Sequence, residues 1–339
     1  MKHIVNVILL IVAATVTIAF WLNRIDLLPI QASAEGVPID WLFTRHIYVI
    51  AFLFALILVF MLYSVVVFRR KPDDTGDGEF MHGNTTLEII WTVVPLVTVL
   101  YFSYLGAITL ADITSPVENE LVVEVNSKKW SWSFTYPETG VSSTDLNLPL
   151  NRTVLLKLTS IDVIHSFWVP EFRVKQDAVP GMVKVLRITP TRLGTYKTRC
   201  AELCGLSHAY MLGNVNVMEP AEFEQWLNQQ QQELTAAETA PAERGAKVAE
   251  LQGCLACHSL DGSQLVGPSW QGIYGSEHTL ADGTTVKVDE AYLHQSIVDP
   301  NSQLVAGFPP NLMPATYKAL SEEDISALLA FIKSLGSEK

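Results

Sequence analysis

Cys200-Ala201-Glu202-Leu203-Cys204-Gly205-Leu206-Ser207-His208-Ala209-Tyr210-Met211 brings two thiols, an imidazole and a thioether into twelve residues. Thiolate and thioether sulfurs favour soft metals such as Cu(I), imidazole suits copper as well, and a weak axial Met accompanies His and Cys at electron-transfer copper sites. Two Cys separated by three residues in a tight loop can aim both sulfurs at one place, so the stretch reads as a copper electron-transfer centre. A second His from elsewhere would complete a pair of coppers bridged by thiolates. The competing reading is a disulfide, the default for an even Cys count in an exported protein. A disulfide explains neither His208 nor Met211 at their spacings.

Around this loop, from Glu120 to about Glu219, the sequence breaks into short alternating β-rich pieces. They are Leu121–Val125, Trp130–Tyr136, Thr153–Thr159, Met182–Thr189, Gly194–Thr198 and Asn214–Val217, separated by turn residues. That texture predicts an antiparallel sandwich or barrel, assigned to residues 112–220. Within it, His165, in Asp162-Val163-Ile164-His165, stands at the start of a loop after a strand and supplies the missing imidazole. A lone His on a β-domain is more often structural, and the surrounding motif gives this one its weight.

Upstream lie three uncharged apolar runs, His3–Asn23, Ile47–Phe68 and Ile89–Ala111, each long enough to cross a hydrocarbon core of about 30 Å. The first, preceded by Lys2 and followed by Ala32-Ser33-Ala34, has the shape of a signal peptide with a small-residue cleavage site, or of an extra membrane anchor, within residues 1–34. The other two form a hairpin within residues 37–111. Arg69-Arg70-Lys71 between them places that connection in the cytoplasm and everything after Asp112 outside. Thr85-Thr86-Leu87-Glu88 matches a capping box at the start of the third run, and Pro95 predicts a kink within it.

Downstream, Ala221–Glu233 reads as a short helix, followed by a polar linker rich in Ala and Thr that ends at Pro241, so residues 221–241 are helix and linker. Residues 242–339 read as a small all-α domain that opens with a helix over Ala242–Cys254 and closes with one over Ser321–Leu335. Cys254-Leu255-Ala256-Cys257-His258 is the C-x-x-C-H signature of covalent haem attachment, with both thiols on the macrocycle and His258 axial to iron. Met313 is the one Met after that motif and is the expected second axial ligand. A His/Met pair raises the haem potential and suits an electron carrier. His278 and His294 are the alternatives.

The 339 residues carry a formal net charge of −12, which argues against a nucleic-acid binder. Half of that charge is C-terminal: residues 241–339 hold twelve Asp/Glu against six Lys/Arg. An acidic haem domain predicts a basic redox donor.

The arrangement of His165 followed by C-x3-C-x3-H-x2-M resembles the binuclear copper site of subunit II of haem-copper cytochrome c oxidases. The resemblance extends to the membrane hairpin, Leu87-Glu88-Ile89-Ile90-Trp91-Thr92, Trp130-Ser131-Trp132-Ser133-Phe134, and Lys175-Gln176-Asp177-Ala178-Val179-Pro180-Gly181. With the haem motif it resembles the bacterial type that carries its own class I cytochrome c domain. The resemblance implies a cupredoxin-like CuA domain in which Cys200 and Cys204 bridge the coppers and His165 and His208 are terminal ligands. It further implies that Met211 and the Glu202 carbonyl are weak axial ligands, with the Glu202 side chain on a magnesium ion at the interface with subunit I. Trp130 would then receive electrons from external cytochrome c, although Ser131 stands where relatives have Tyr. Glu88 would sit at the mouth of a proton path, while its capping position is stabilising with no further role.

On this reading the chain is the electron-input subunit of a terminal oxidase in a bacterial-type plasma membrane. Its copper and haem domains are periplasmic, and subunit I, with subunit III as a further partner, performs dioxygen reduction and proton translocation. A nitric oxide reductase with a similar copper domain is not separated by this sequence. A copper chaperone would carry one exchangeable copper on a thioredoxin-like α/β fold and would not need His208 and Met211.

Overall fold

The structure, a computed structural model, describes all residues except 1, 71, 72, 74, 75, 79, 238, 239 and 337–339, and the side chains of 236 and 237 are likewise undescribed. Lys71 and part of the predicted 235–241 linker lie outside the described residues. The chain divides into two compact units, one of residues 1–31 and 35–116, the other of residues 32–34 and 117–339.

The first unit consists of α1 (Lys2–Leu22), α2 (Gly36–Val67) and α3 (Thr85–Thr114), each long and apolar enough to span a membrane. Only a helix satisfies every backbone polar group within one segment in hydrocarbon, which is why these uncharged runs take that form. The second and third helices extend beyond the apolar runs read from the sequence. At 1.5 Å per residue the 32 residues of α2 reach about 48 Å, more than the roughly 30 Å core requires. Buried residues are few: Val7 and Ile11 on α1, the small residues Gly36, Ala51 and Ala55 on α2, and none on α3. The remaining apolar surface is left for lipid or a membrane partner. The start of α3 differs from expectation, because Asn84 is the N-cap and its side chain accepts from Leu87 N at 3.1 Å. Thr85 is already helical, and Glu88 stands exposed in the first turn.

The second unit begins with ten strands in two five-stranded sheets. One has the order β3 (Val141–Ser143), β2 (Ser131–Tyr136), β1 (Leu121–Lys128), β5 (Val154–Ser160), β8 (Lys184–Ile188). The other has the order β4 (Leu146–Pro149), β10 (Leu212–Met218), β9 (Gly194–Cys200), β6 (His165–Val169), β7 (Val174–Ala178). Strict alternation along β5 sends Val154, Leu156 and Leu158 inward, and Val123, Val125, Phe134 and Phe167 are likewise fully buried. Most pairings are antiparallel, but β1 with β5 and β4 with β10 run parallel, so the sandwich is mixed. His165 is the first residue of β6, where the sequence had suggested a loop. Ala32-Ser33-Ala34, read as a cleavage motif, adds to this domain: Ala32 N donates to Glu171 O, Ala34 N to Thr189 O, and Ser33 bridges Pro190.

Helix α4 (Pro220–Ala237) packs on the sandwich through Phe223 and Leu227, with the Trp226 ring 5.2 Å from that of Tyr136. It continues through Thr235, where linker was expected. The C-terminal domain then comprises α5 (Pro241–Leu251), the hairpin β11 (Glu277–Thr279) and β12 (Thr285–Lys287), α6 (Glu290–Val298) and α7 (Glu322–Ser334). Helices α5 and α7 cross at Gly245, where a Cβ would lie 1.9 Å from Ala327 O, so only glycine permits this approach. Ser321 caps α7 by accepting from Asp324 N at 3.1 Å, and three acidic residues in the first turn favour the positive end of the helix dipole.

Candidate copper and haem sites

Strand β9 ends at Cys200, and Cys200 N donates to Met211 O at 3.1 Å, closing the loop between β9 and β10 into a narrow mouth. Strand β6, paired with β9 through Phe167 and Cys200, carries His165 to the same end of the sandwich. The donors therefore converge. Cys200 Sγ lies 3.7 Å from Cys204 Sγ, 3.8 Å from His165 Nδ1 and 3.1 Å from Glu202 O. Cys204 Sγ lies 3.5 Å from His208 Nδ1 and 3.8 Å from Met211 Sδ. Each Cys thus has one imidazole and one weaker donor beside it, a near-symmetric set of two N, two S, a thioether and a carbonyl. Such soft, nitrogen-containing donors fit copper. All four Cys are free thiols, so the disulfide reading fails here.

Asp162, which sequence reasoning did not single out, orients the site. Its Oδ1 lies 2.9 Å from His165 Nε2, and the carboxylate also accepts from Lys129 N and Val163 N at 2.7 Å each. That contact on Nε2 leaves Nδ1 for metal, the usual arrangement of a ligating His and its carboxylate. The Asp-x-x-His spacing was the available signal. Burial alone would raise the Asp162 carboxyl, but its bonds to His165 and the two amides outweigh it and hold the pKa below the usual range. Burial likewise opposes charging of His165, yet Asp162 and Cys200 beside it raise its pKa. Without metal the thiols split. Burial is outweighed at Cys200 by hydrogen bonds from His165 and the backbone, which lower its pKa; at Cys204 burial and the adjacent Cys200 thiolate raise it. Loading metal would displace the Cys204 proton.

Trp130 is 8% exposed, with its Nε1 buried and unbonded among the described residues. It lies under the copper loop: a Cβ at Gly205, whose φ is +118°, would sit 3.3 Å from Trp130 Cζ2. The Glu202 side chain is exposed.

In the C-terminal domain, Cys254, Cys257 and His258 follow α5 on a tight turn and line a crevice with Trp270, His278 and Met313. The crevice encloses about 1230 Å³ of empty space, part of it open to solvent. His258 Nδ1 lies 2.7 Å from Pro268 O and its ring stacks on Trp270 at 5.0 Å, which leaves Nε2 for iron. Burial pushes the His258 pKa down, so the imidazole is neutral, the form that ligates. Gly267 is required beside it, since a Cβ there would be 2.7 Å from His258 Cε1. Burial also pushes the Cys254 thiol up to about 11. Met313 thus shares the crevice with His258, as does His278, whereas His294 is half-buried away from it and pairs with Glu322 at 3.2 Å. The residues fit a covalently held haem.

Three family descriptions match: the periplasmic domain of cytochrome c oxidase subunit II over residues 141–218, its transmembrane domain over 20–105, and cytochrome c over 242–336. Cytochrome c oxidase subunit 2 of Alkalihalophilus pseudofirmus is 33% identical over 312 residues, covering 89% of each chain. The chain belongs to the cytochrome c oxidase subunit 2 family. The homologue from Thermostichus vulcanus is 32% identical over 69% of this chain and 88% of its own length. The periplasmic domain of subunit II from Bradyrhizobium japonicum aligns with 34% of this chain and 96% of its own, at 28% identity and a TM-score of 0.33. This family member is a membrane protein with a cupredoxin-like periplasmic domain and a fused C-terminal cytochrome c domain. Its subunit II domain implies CuA, and its cytochrome c domain implies haem c.

Proposed function

We propose that this chain is the electron-input subunit of a terminal cytochrome c oxidase in a bacterial-type plasma membrane. It would pass electrons from a donor protein, by way of haem c and CuA, to subunit I for dioxygen reduction and proton translocation. The convergence of His165, Cys200, the Glu202 carbonyl, Cys204, His208 and Met211 carries the reading. A copper pair bound there would store and release one electron, and a rigid β-sandwich would hold its geometry constant between the two states. The chain's own part is to fix the donors, orient His165 through Asp162 and exclude water with Met211 and Trp130, both buried. A single exchangeable copper, as in a chaperone, would leave His208 and Met211 without a role.

Around the mouth, Leu203 (79% exposed), Leu206 (76%) and Tyr210 (82%) offer an apolar rim to subunit I, with the Glu202 carboxylate beside them to share a magnesium ion. The acidic haem domain favours a basic donor. Oxygen uptake by the purified complex, driven by a basic cytochrome c, should fall steeply as ionic strength rises from 10 to about 200 mM, because the Debye length shrinks from about 30 Å to below 8 Å. Uptake insensitive to salt would reject the donor assignment, and reduction of nitric oxide in place of dioxygen would reject the oxidase.

A further inference from the structure

Helices α1 and α2 leave a groove between them that encloses about 1120 Å³ of empty space, part of it open. Val7 and Ile11 of α1 line it and are buried, so they form its floor, while Ile8, Phe52, Leu56 and Phe60 stand along its walls. The lining runs from His3 to Val12 on α1 and from Phe52 to Ser64 on α2. At 1.5 Å per residue these stretches are about 14 Å and about 18 Å long, close to half of the roughly 30 Å hydrocarbon core. The groove is therefore one leaflet deep.

Its polar groups are gathered at one end. His3 Nδ1 lies 2.8 Å from Tyr63 Oη, Ser64 lines the groove beside them, and the Phe68 ring is 5.3 Å from that of His3. Lys2 and Arg69, the sequence neighbours of His3 and Phe68, are exposed and flank this end from the two sides. Among the described residues neither is in an ion pair, and Asp73 and Asp77 of the following loop are exposed and pair with neither. The basic run that begins at Arg69 puts this end on the cytoplasmic side, where juxtamembrane cations attract anionic lipid headgroups. At the opposite end the two helices draw together, with Asn23 Nδ2 3.4 Å from Tyr48 Oη. A membrane-spanning helix of a partner subunit would need a groove running the whole depth of the core. An acyl chain needs only the inner half.

We infer that the groove between α1 and α2 is a binding site for one anionic phospholipid of the cytoplasmic leaflet. An acyl chain lies over Val7 and Ile11, and the phosphate sits at the mouth between Lys2 and Arg69, within reach of the His3 and Tyr63 pair. The site requires α1 in the mature chain. Ala32-Ser33-Ala34 supports its retention, because cleavage after Ala34 would strip from the copper domain the segment whose amides donate to Glu171 O and Thr189 O and whose Ala32 carbonyl accepts from Thr191 N. Lipid binding here needs neither copper nor haem, so the inference stands apart from the function proposed above.

The test is native mass spectrometry of the full-length, copper- and haem-loaded chain in detergent, titrated with phosphatidylglycerol and with phosphatidylcholine of the same acyl chains. The first phosphatidylglycerol should bind at least tenfold more tightly than the first phosphatidylcholine. Lys2→Gln combined with Arg69→Gln should abolish that preference, while Arg70 and Lys71 keep the helices in their orientation. Ile8→Trp, which fills the groove and leaves the charges in place, should weaken both lipids at least threefold. Copper and haem content report that each variant is folded. Equal affinity for the two lipids in the wild type, or a preference that survives the double substitution, would overturn the site. So would a mature chain whose intact mass lacks residues 1–34, or a photo-reactive residue placed at Ile8 that crosslinks in membranes to a protein subunit instead of to lipid.

Discussion

Replacing Asp162 tests how the copper site is held. Asp162→Ala removes the acceptor 2.9 Å from His165 Nε2 and leaves Lys129 N and Val163 N, each 2.7 Å from the carboxylate, without their partner. Two consequences have separate magnitudes. Loss of a carboxylate that orients a ligating His weakens metal binding by about 10- to 100-fold, which is roughly 1.4–2.7 kcal/mol. Leaving amides unpaired costs about 1–3 kcal/mol each when no water reaches them, and appears in the stability of the metal-free chain. Competition against a copper chelator at pH 7 reads the first effect, and thermal unfolding of the metal-free protein reads the second. Asp162→Asn keeps one acceptor oxygen and should recover most of the affinity. Wild-type copper affinity in a folded Asp162→Ala protein would refute the role given to this residue, because His165 would then be positioned by packing alone.

Three further outcomes follow from other parts of the chain. Met313→Ala should lower the haem midpoint potential and change the spectrum of the reduced haem; an unchanged potential would remove Met313 as an axial ligand and turn attention to His278. Burial depresses the Lys128 pKa from 10.5 to about 8, so between those values the unfolded chain binds more protons and stability rises with pH, by at most about 3 kcal/mol, while below pH 8 this group contributes no slope. Lys128→Met should abolish that rise in denaturant titrations at pH 8 to 10 and leave the protein no less stable at pH 7. Gly245→Ala forces a methyl to within 1.9 Å of Ala327 O, and calorimetry should show the C-terminal domain destabilised by about 1–3 kcal/mol or more, with the copper domain's transition unmoved.

How much of this was legible in the sequence depended on how local each feature is. The loop from Cys200 to Met211 and the Cys254–His258 turn carry their donors within a few residues, so spacing alone pointed to metal and haem. The three apolar helices were equally plain, although a window of hydropathy does not see where Asn84 caps α3. Strands β3, β4, β6 and β7 were not read. The pattern of β4 is buried at all four positions, and β7 exposes Lys175 at a sheet edge, so neither shows a clean alternation. Helix α6, only nine residues long, and the small hairpin before it were not read in a domain expected to be all-α. Asp162 and Gly245 draw their meaning from residues distant in sequence or placed by the fold, which no local pattern reports.

The most direct measurement is copper and haem per chain, with the copper EPR spectrum, on the segment from Asp112 to Lys339 prepared with copper loading and haem maturation and checked against the full-length protein. The account expects two coppers, a delocalised mixed-valence signal and one covalent haem. One copper that exchanges freely, or a signal from a single isolated copper, would contradict it.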